Sequence, residues 1–388
     1  MTSRERLLTV IRREIPDHVP VAPDTSNMIP ARLTGKPFWD IYLYQDPPLW
    51  LAYINCVKFF GFDSLMDNYA NIQFEELGEF DHDWIQAIVF QNEDRVVTQS
   101  YRKRLNDIEW SDTVTVYYKD NPPTGGLNPL SVRLPETPDK YTPVEGVRSW
   151  PHGEDLLRLV KDELGDHGLV GVGCGVSSLL WNEKEIMEYY EYPERYHDKR
   201  DRLLEYYEKR FHKLMSLDTK LDFITTGGSG TLVFQSPDIF RELALPIVKQ
   251  TTSLCKAAGI PSHIHSCGPQ AQLVKICAEE TDLTIIDPLE IPPMGNCNLK
   301  DLKRLYGDKL VLKGNLHTTS VMLHGSVQDV KDVAKQAIDD AAEGGGFILS
   351  TGDQCGRDTP DENIFAMIET AKTYGRYPLR KEWSLYDR

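Results

Sequence analysis

The sequence predicts an α/β fold, a (β/α)8 TIM barrel with a small β insertion between its second and third strands, and three observations carry that expectation. Short apolar runs rich in Val, Ile, Leu and Phe recur eight times, segments of helical periodicity separate several of them, and many end on Gly, Asp, Asn or Pro, as in VGVGCG, IIDP, VLKGN and ILSTG. Parallel strands joined by crossover helices have this pattern, and such end residues suit sharp strand-to-helix turns. The rival, a doubly wound sheet, calls for a glycine fingerprint after its first strand, and VPVAPDTSN offers none.

Taken in chain order, the first twenty residues predict an amphipathic helix. Leu7, Leu8, Val10 and Ile11 are interrupted by Arg and Glu, so no signal-peptide core forms there. The eight expected strands are 18–23, 62–67, 169–174, 221–226, 262–265, 283–287, 309–313 and 347–351. Helices are expected over 236–258, 326–343 and 360–374, after the fourth, seventh and eighth strands. Between the second and third strands the rhythm breaks: DWIQAIVF, QNED, RVVTQS and DTVTVYY read as antiparallel strands, followed by a KDNPPTGG loop and a Pro-rich stretch to Pro151. The expected organisation is one barrel domain over 1–388 with an inserted segment at 74–151, which serves as a lid, a partner surface or a structural plug.

Composition narrows the function. Lys plus Arg total 43 against 59 Asp plus Glu, a net charge of −16, which repels phosphate backbones and anionic bilayers. Neither nucleic acid nor a membrane is an expected partner, and no run of apolar residues is long enough to span one. Seven cysteines, an odd number scattered through a chain with no targeting segment, predict reduced thiols and a cytoplasmic protein. Oligomeric state is left open.

Barrel enzymes place their chemistry at the carboxyl ends of the strands. There the fifth strand runs into HIHSCG, with His263, His265 and Cys267; the sixth ends at Asp287, with Glu290 beyond it; the seventh reaches Asn315; and the eighth gives STGDQCG, with Asp353 and Cys355. Alternation puts His263, His265 and Cys267 on one face. His265 and Cys267, joined by Cys355 from another strand, supply the imidazole and thiolate donors that zinc prefers, with a position left open for substrate. The same residues also fit a structural reading, with small buried cysteines and hydrogen-bonded core histidines.

Five segments, SRERLLTVIRREIPDHVPV, SPDIFRELALPIVKQ, HIHSCG, the GNL turn and STGDQCGRDTPDENI, resemble the uroporphyrinogen decarboxylase superfamily over almost the whole chain outside the insertion. The resemblance implies a (β/α)8 barrel and a choice between porphyrinogen decarboxylases and cobamide-dependent methyltransferases. The decarboxylases carry an arginine-rich FMRQAGR signature where this chain reads VAPDTSNMIPARLTG; that places the chain on the methyltransferase side and leaves Asp67, near the decarboxylases' catalytic aspartate, as a polar residue at a strand end. The methyltransferases' H-x-C-G motif and their later cysteine resemble His265, Cys267 and a residue of TGDQCG. Counting back from Thr359 and Pro360, that later position falls on Asp353 rather than Cys355, so either side chain completes the metal site or Asp353 acts as an acid.

The resulting expectation is a methyltransferase that moves a methyl group from a methoxylated aromatic to the Co(I) of a separate corrinoid-binding protein. Zn2+ on His265, Cys267 and Cys355 activates the ether, with Asp353 and Glu290 as the catalytic carboxyls. The alternative is a zinc-dependent methylcobalamin:thiol methyltransferase of the coenzyme M type, and behind it a porphyrinogen-type decarboxylase.

Overall fold

The computed structural model describes residues 1–66, 72–79, 83–105 and 107–379; Asp67 lies outside them. The chain packs into two compact units, one of Met1–Thr25, Val57–Tyr69 and Leu164–Arg388, the other of Ser26–Cys56 and Ala70–Glu163.

The second unit contains an antiparallel sheet of β1 (Ile85–Gln91), β2 (Arg95–Lys103), β3 (Ile108–Tyr118), β4 (Thr124–Leu127) and β5 (Thr142–Pro143), in the order β4-β3-β2-β1-β5. Alternation in RVVTQS and DTVTVYY turns Val97, Val114 and Val116 inward, where Phe90, Tyr118 and Leu127 pack on them. Part of the segment read as a loop is a strand: Thr124 and Leu127 of β4 pair with Val116 and Val114, across a register shift. Gly126, at a φ of 70°, takes a conformation that glycine adopts without steric cost.

The first unit is built on a parallel sheet of β6 (Gly171–Gly173), β7 (Phe223–Thr225), β8 (Ser262–His265), β9 (Ile285–Asp287), β10 (Val311–Leu316) and β11 (Phe347–Thr351), paired in sequence order. Their residues are almost all buried, as strands covered on both faces must be. Beyond β11, Val21 forms a parallel bridge to Leu349, and the Asp63 N–H donates to the Val21 carbonyl at 2.7 Å. Next to Asp63, Ser64 Oγ accepts from the Leu169 N–H at 3.3 Å.

At the amino end of this sheet lies the helix Ser3–Ile11, which opens on a capping box of Thr2 and Glu5. Its Leu7, Val10 and Ile11 pack with Ala22, Phe223, Ile285, Val311 and Ile348, so the apolar stripe read from the sequence plugs the strand starts. The single helix expected over 236–258 is two, Pro237–Leu243 and Leu245–Ala258. Pro246 has no N–H to continue the first, and it is tolerated only in an opening turn. Among the described residues no helix is long and apolar enough to cross a membrane, and all seven cysteines are free thiols.

Candidate active site

The carboxyl ends of the parallel strands bring most of the reactive residues together. β8 delivers His263 and His265 to one carboxylate, that of Asp287 at the end of β9. His263 Nε2 lies 3.0 Å and His265 Nδ1 3.1 Å from Asp287 Oδ1, while the ammonium of Lys313, from β10, donates to Oδ2. His263 also places Nδ1 3.3 Å from Thr225 Oγ1. With both nitrogens engaged, it is a positioned core histidine.

His265 is different. Its Nε2 is buried with no hydrogen-bond partner, and Asp353 Oδ1 stands 3.5 Å away. Burial disfavours charge on this ring, but Asp287, Asp353 and Asp24 outweigh it and raise His265 well above the ordinary imidazole value. Burial likewise penalises the Asp287 carboxylate; Lys313 and the two histidines outweigh that and hold it well below the ordinary range.

Around the free nitrogen, Asp24, His265 and Asp353 offer ligand atoms all within 4.8 Å of one another, as do Cys267, Glu290 and Asp353. Asp353 belongs to both groups. It sits at a φ of 138°, where L-residues are rarely found. Leu289 (φ 61°), beside Glu290, and Met66 (φ 55°) are strained as well, and strain of this kind concentrates at functional sites. Glu290 Oε2 accepts the Gly268 N–H, and Gly295 passes so close that a Cβ there would stand 2.2 Å from the Glu290 carbonyl oxygen. Burial, with Asp353, pushes the Glu290 carboxyl up against the opposing Gly268 N–H and His265. Burial and Asp353 also raise the Cys267 thiol, opposed by His265 and a hydrogen bond with Ser229.

Cys355 lies outside both groups. Its N–H donates to the Asp24 carbonyl at 2.9 Å, its side chain is fully buried, and burial together with Asp24 pushes the thiol up to about 12 against hydrogen bonds with Thr359 and Thr351. Cys355, expected as the third ligand, is set apart from both groups because the turn at Asp353 sends residue 353 to His265 and residue 355 back against the segment of Asp24. Asp24 and Lys313 join the site without belonging to any motif expected from the sequence. Asp24 follows directly on the expected first strand, which is the signal that points to it. Lys313 is a lone cation within the apolar run VLKGN.

Asp24, His265, Asp287 and Lys313 share a cavity of about 210 Å³ with Thr225 and Ser229. Two of the cavity's residues, Asp24 and His265, belong with Asp353 to a donor group that fits a bound cation. Asp353 stands within 4.8 Å of Asp24 in one group and of Glu290 in the other, where like charges repel, the His265 Nε2 lacks a hydrogen-bond partner, and the Cys267 thiol belongs to the second group; nitrogen, sulfur and carboxylate donors of this kind are those that hold zinc.

Comparison with known proteins agrees with the fold. Over 139 residues the chain is 25% identical to methylcobamide:CoM methyltransferase MtbA of Methanosarcina mazei, a stretch covering 35% of this chain and 37% of that protein. The chain thus matches little more than a third of that relative's length. A solved methyltransferase from Methanosarcina mazei superposes with a TM-score of 0.60 at 17% identity, over 96% of this chain and 98% of the other. Residues 152–374, more than half of the sequence, match the family described as uroporphyrinogen decarboxylase (URO-D). The chain belongs to the uroporphyrinogen decarboxylase family, and both of these relatives are methyltransferases by name.

Proposed function

We propose that this protein is a corrinoid-dependent O-demethylating methyltransferase, which takes the methyl group of a methoxylated aromatic and passes it to the Co(I) of a separate corrinoid protein. The observation that carries the reading is the oxygen-rich donor set: Asp353, rather than a second cysteine, stands beside His265 and Cys267. A harder site suits an ether oxygen better than a thiol sulfur. The reading includes the barrel itself, closed by the first two of the eight strands expected from sequence, with the antiparallel sheet as an insertion between the second and third.

In the reaction, the bond between methyl carbon and aryl oxygen breaks, its electron pair stays on the oxygen, and Co(I) supplies the pair that binds the methyl. Phenolate is a poor leaving group unless its oxygen is polarised. His265, Cys267 and Asp353 would hold Zn2+, with Asp24 and Glu290 in reach, and the ion's Lewis acidity would supply that polarisation. Asp287 fixes the His265 ring: accepting from Nδ1, it would leave the Nε2 lone pair to the ion once the ring has lost its second proton. Exposed Trp181, Val233, Phe234 and Met294 lie on loops that leave the carboxyl ends of β6, β7 and β9, and they offer apolar surface to a partner on the side where the chemistry sits.

The second reading, methyl transfer from methylcobalamin to a thiol, is favoured by the stretch shared with MtbA; the single thiol in the ligand groups weighs against it. The deciding experiment incubates the protein with a Co(I) corrinoid and, separately, methoxyaromatics, methylamines and methylated thiols, and follows loss of the Co(I) spectrum. Methoxyaromatic-dependent loss, slowed roughly 10²-fold by Asp353→Asn, is the expected result. Reaction with methyl thioethers alone would overturn the reading in favour of the thiol one.

A further inference from the structure

The buried cation at Lys313 has no role in the chemistry so far. Its side chain is only 2% exposed, on a strand whose other residues are apolar or uncharged, and it lines the same cavity as His265. An ammonium carries three N–H donors and no acceptor. Among the described residues, the hydrogen-bond partner of Lys313 is Asp287 Oδ2 alone. A buried cation with donors to spare, facing a small cavity, is a site for an anionic oxygen.

Asp287 explains how the two halves of the site are aligned. One of its oxygens takes the His265 ring and the other takes Lys313, so a single carboxylate sets the imidazole and the ammonium on the wall of one cavity of about 210 Å³. That space is below the size usual for a complete pocket around a drug-sized ligand. The reacting end of a substrate therefore meets both groups at once.

We propose that Lys313 is a catalytic residue that binds the aryl oxygen as it becomes anionic. The proposal rests on the O-demethylase reading. As the methyl–oxygen bond breaks, the electron pair left on the aryl oxygen is met by Lys313 N–H donors; the lysine keeps its proton, and the phenolate takes one from water after release. Because Asp287 balances the lysine's charge in the resting site, the cation is held in place without a ligand, and it is preorganised rather than recruited.

The test is product-side binding, which needs neither cobalt nor turnover. Zinc-loaded protein is titrated with 4-nitrophenol, whose phenolate is coloured, at a pH about one unit below the phenol's own pKa, and in parallel with 4-nitroanisole and with 4-methoxybenzoate. Wild-type protein is expected to bind the phenol as phenolate. Lys313→Met should weaken phenolate binding by roughly 10- to 100-fold and leave the anisole unaffected, while Lys313→Arg retains most of the phenolate affinity. Since Lys313→Met leaves Asp287 buried without its cation, the double variant Lys313→Met/Asp287→Asn, which removes both charges, is measured alongside, with melting curves to confirm folding. Equal loss of phenol and anisole would show a merely structural lysine and overturn the proposal, as would phenolate binding that ignores Lys313. Selective loss of 4-methoxybenzoate, with the phenol untouched, would assign the lysine to a ring carboxylate and likewise overturn it. A Lys313-dependent phenolate site in a protein that never methylates Co(I) would sink the O-demethylase reading and leave the oxyanion site standing.

Discussion

The two ends of the parallel sheet are made from the same strands and do opposite things. At the amino end, Phe223, Ile285, Val311 and Ile348 meet Leu7, Val10 and Ile11 in an apolar plug, and the helix covering it is tied down by a capping box. A few residues further along the same strands, the carboxyl end holds Asp287, Lys313, His263 and His265 in one hydrogen-bonded group, with strained backbone at Asp353 and Leu289. Hydrophobic burial at one end stabilises the fold, which in turn holds charges at the other that would not stay buried by themselves. The division predicts that damage at one end is read out as stability and at the other as binding and turnover.

The sharpest way to break that division is at His265. His265→Ala removes the one ligand nitrogen in the cluster, so zinc content by atomic absorption should fall to background and methyl transfer by roughly 10³-fold or more, since the several kcal/mol of polarisation go with the ion. The melting temperature of the metal-free forms should hardly change. Unfolding with retained zinc would show that His265 belongs to the core and would end the division.

The converse variant is Leu7→Ala. Leu7 is fully buried in the plug, and truncation there should cost about 2–5 kcal/mol of stability in denaturant titration. Zinc stoichiometry and the rate per folded molecule should stay as in the wild type, because no ligand moves. A fall in metal affinity matching the fall in stability would mean that the two ends are coupled.

These two variants also mark what the sequence makes legible. The strands can be read because a parallel strand covered on both faces is a continuous apolar run, and His265 and Cys267 because alternation fixes which side chains share a face. Asp353 and Cys355 could not be told apart, since the loop after β11 has no period and its direction is decided by one unusual φ. Asp24 and Lys313 went unnoticed because a lone charge beside apolar residues carries no pattern; only the fold shows that Lys313 is buried against Asp287. β4 was missed for a related reason: TGG has the composition of a turn, and its pairing comes from β3.

A smaller effect, on affinity alone, follows from charge at the carboxyl end. The metal-free protein holds His265 protonated above the ordinary imidazole range because Asp287, Asp353 and Asp24 outweigh the cost of burial. Zinc binds the unprotonated nitrogen and the thiolate of Cys267, whose thiol is raised as well, so each ion bound must displace two protons. Affinity should therefore rise with pH, about a hundredfold per unit while both groups are protonated, and about tenfold per unit once the first of them has lost its proton. Calorimetry in buffers of different ionisation enthalpy reads the released protons; a single proton released per ion through the neutral range would leave His265 or Cys267 out of the ligands.

The smallest effect is expected at Cys355, and it sharpens the comparison most finely because the residue stands between the two kinds of site. It neighbours Asp353 in sequence and Asp24 in space, yet its thiol is fully buried and burial holds it protonated. A serine hydroxyl is close in size, so Cys355→Ser should shift stability by less than about 1 kcal/mol. The backbone bond from residue 355 to Asp24 is untouched by the change, and zinc content and turnover should remain those of the wild type. Were Cys355 a ligand, serine would be a poor substitute for thiolate and the metal would go with the activity. Zinc loss in Cys355→Ser but not in Asp353→Asn would thus return the thiol to the centre, remove the oxygen-rich donor set on which ether chemistry rests, and favour the thiol methyltransferase.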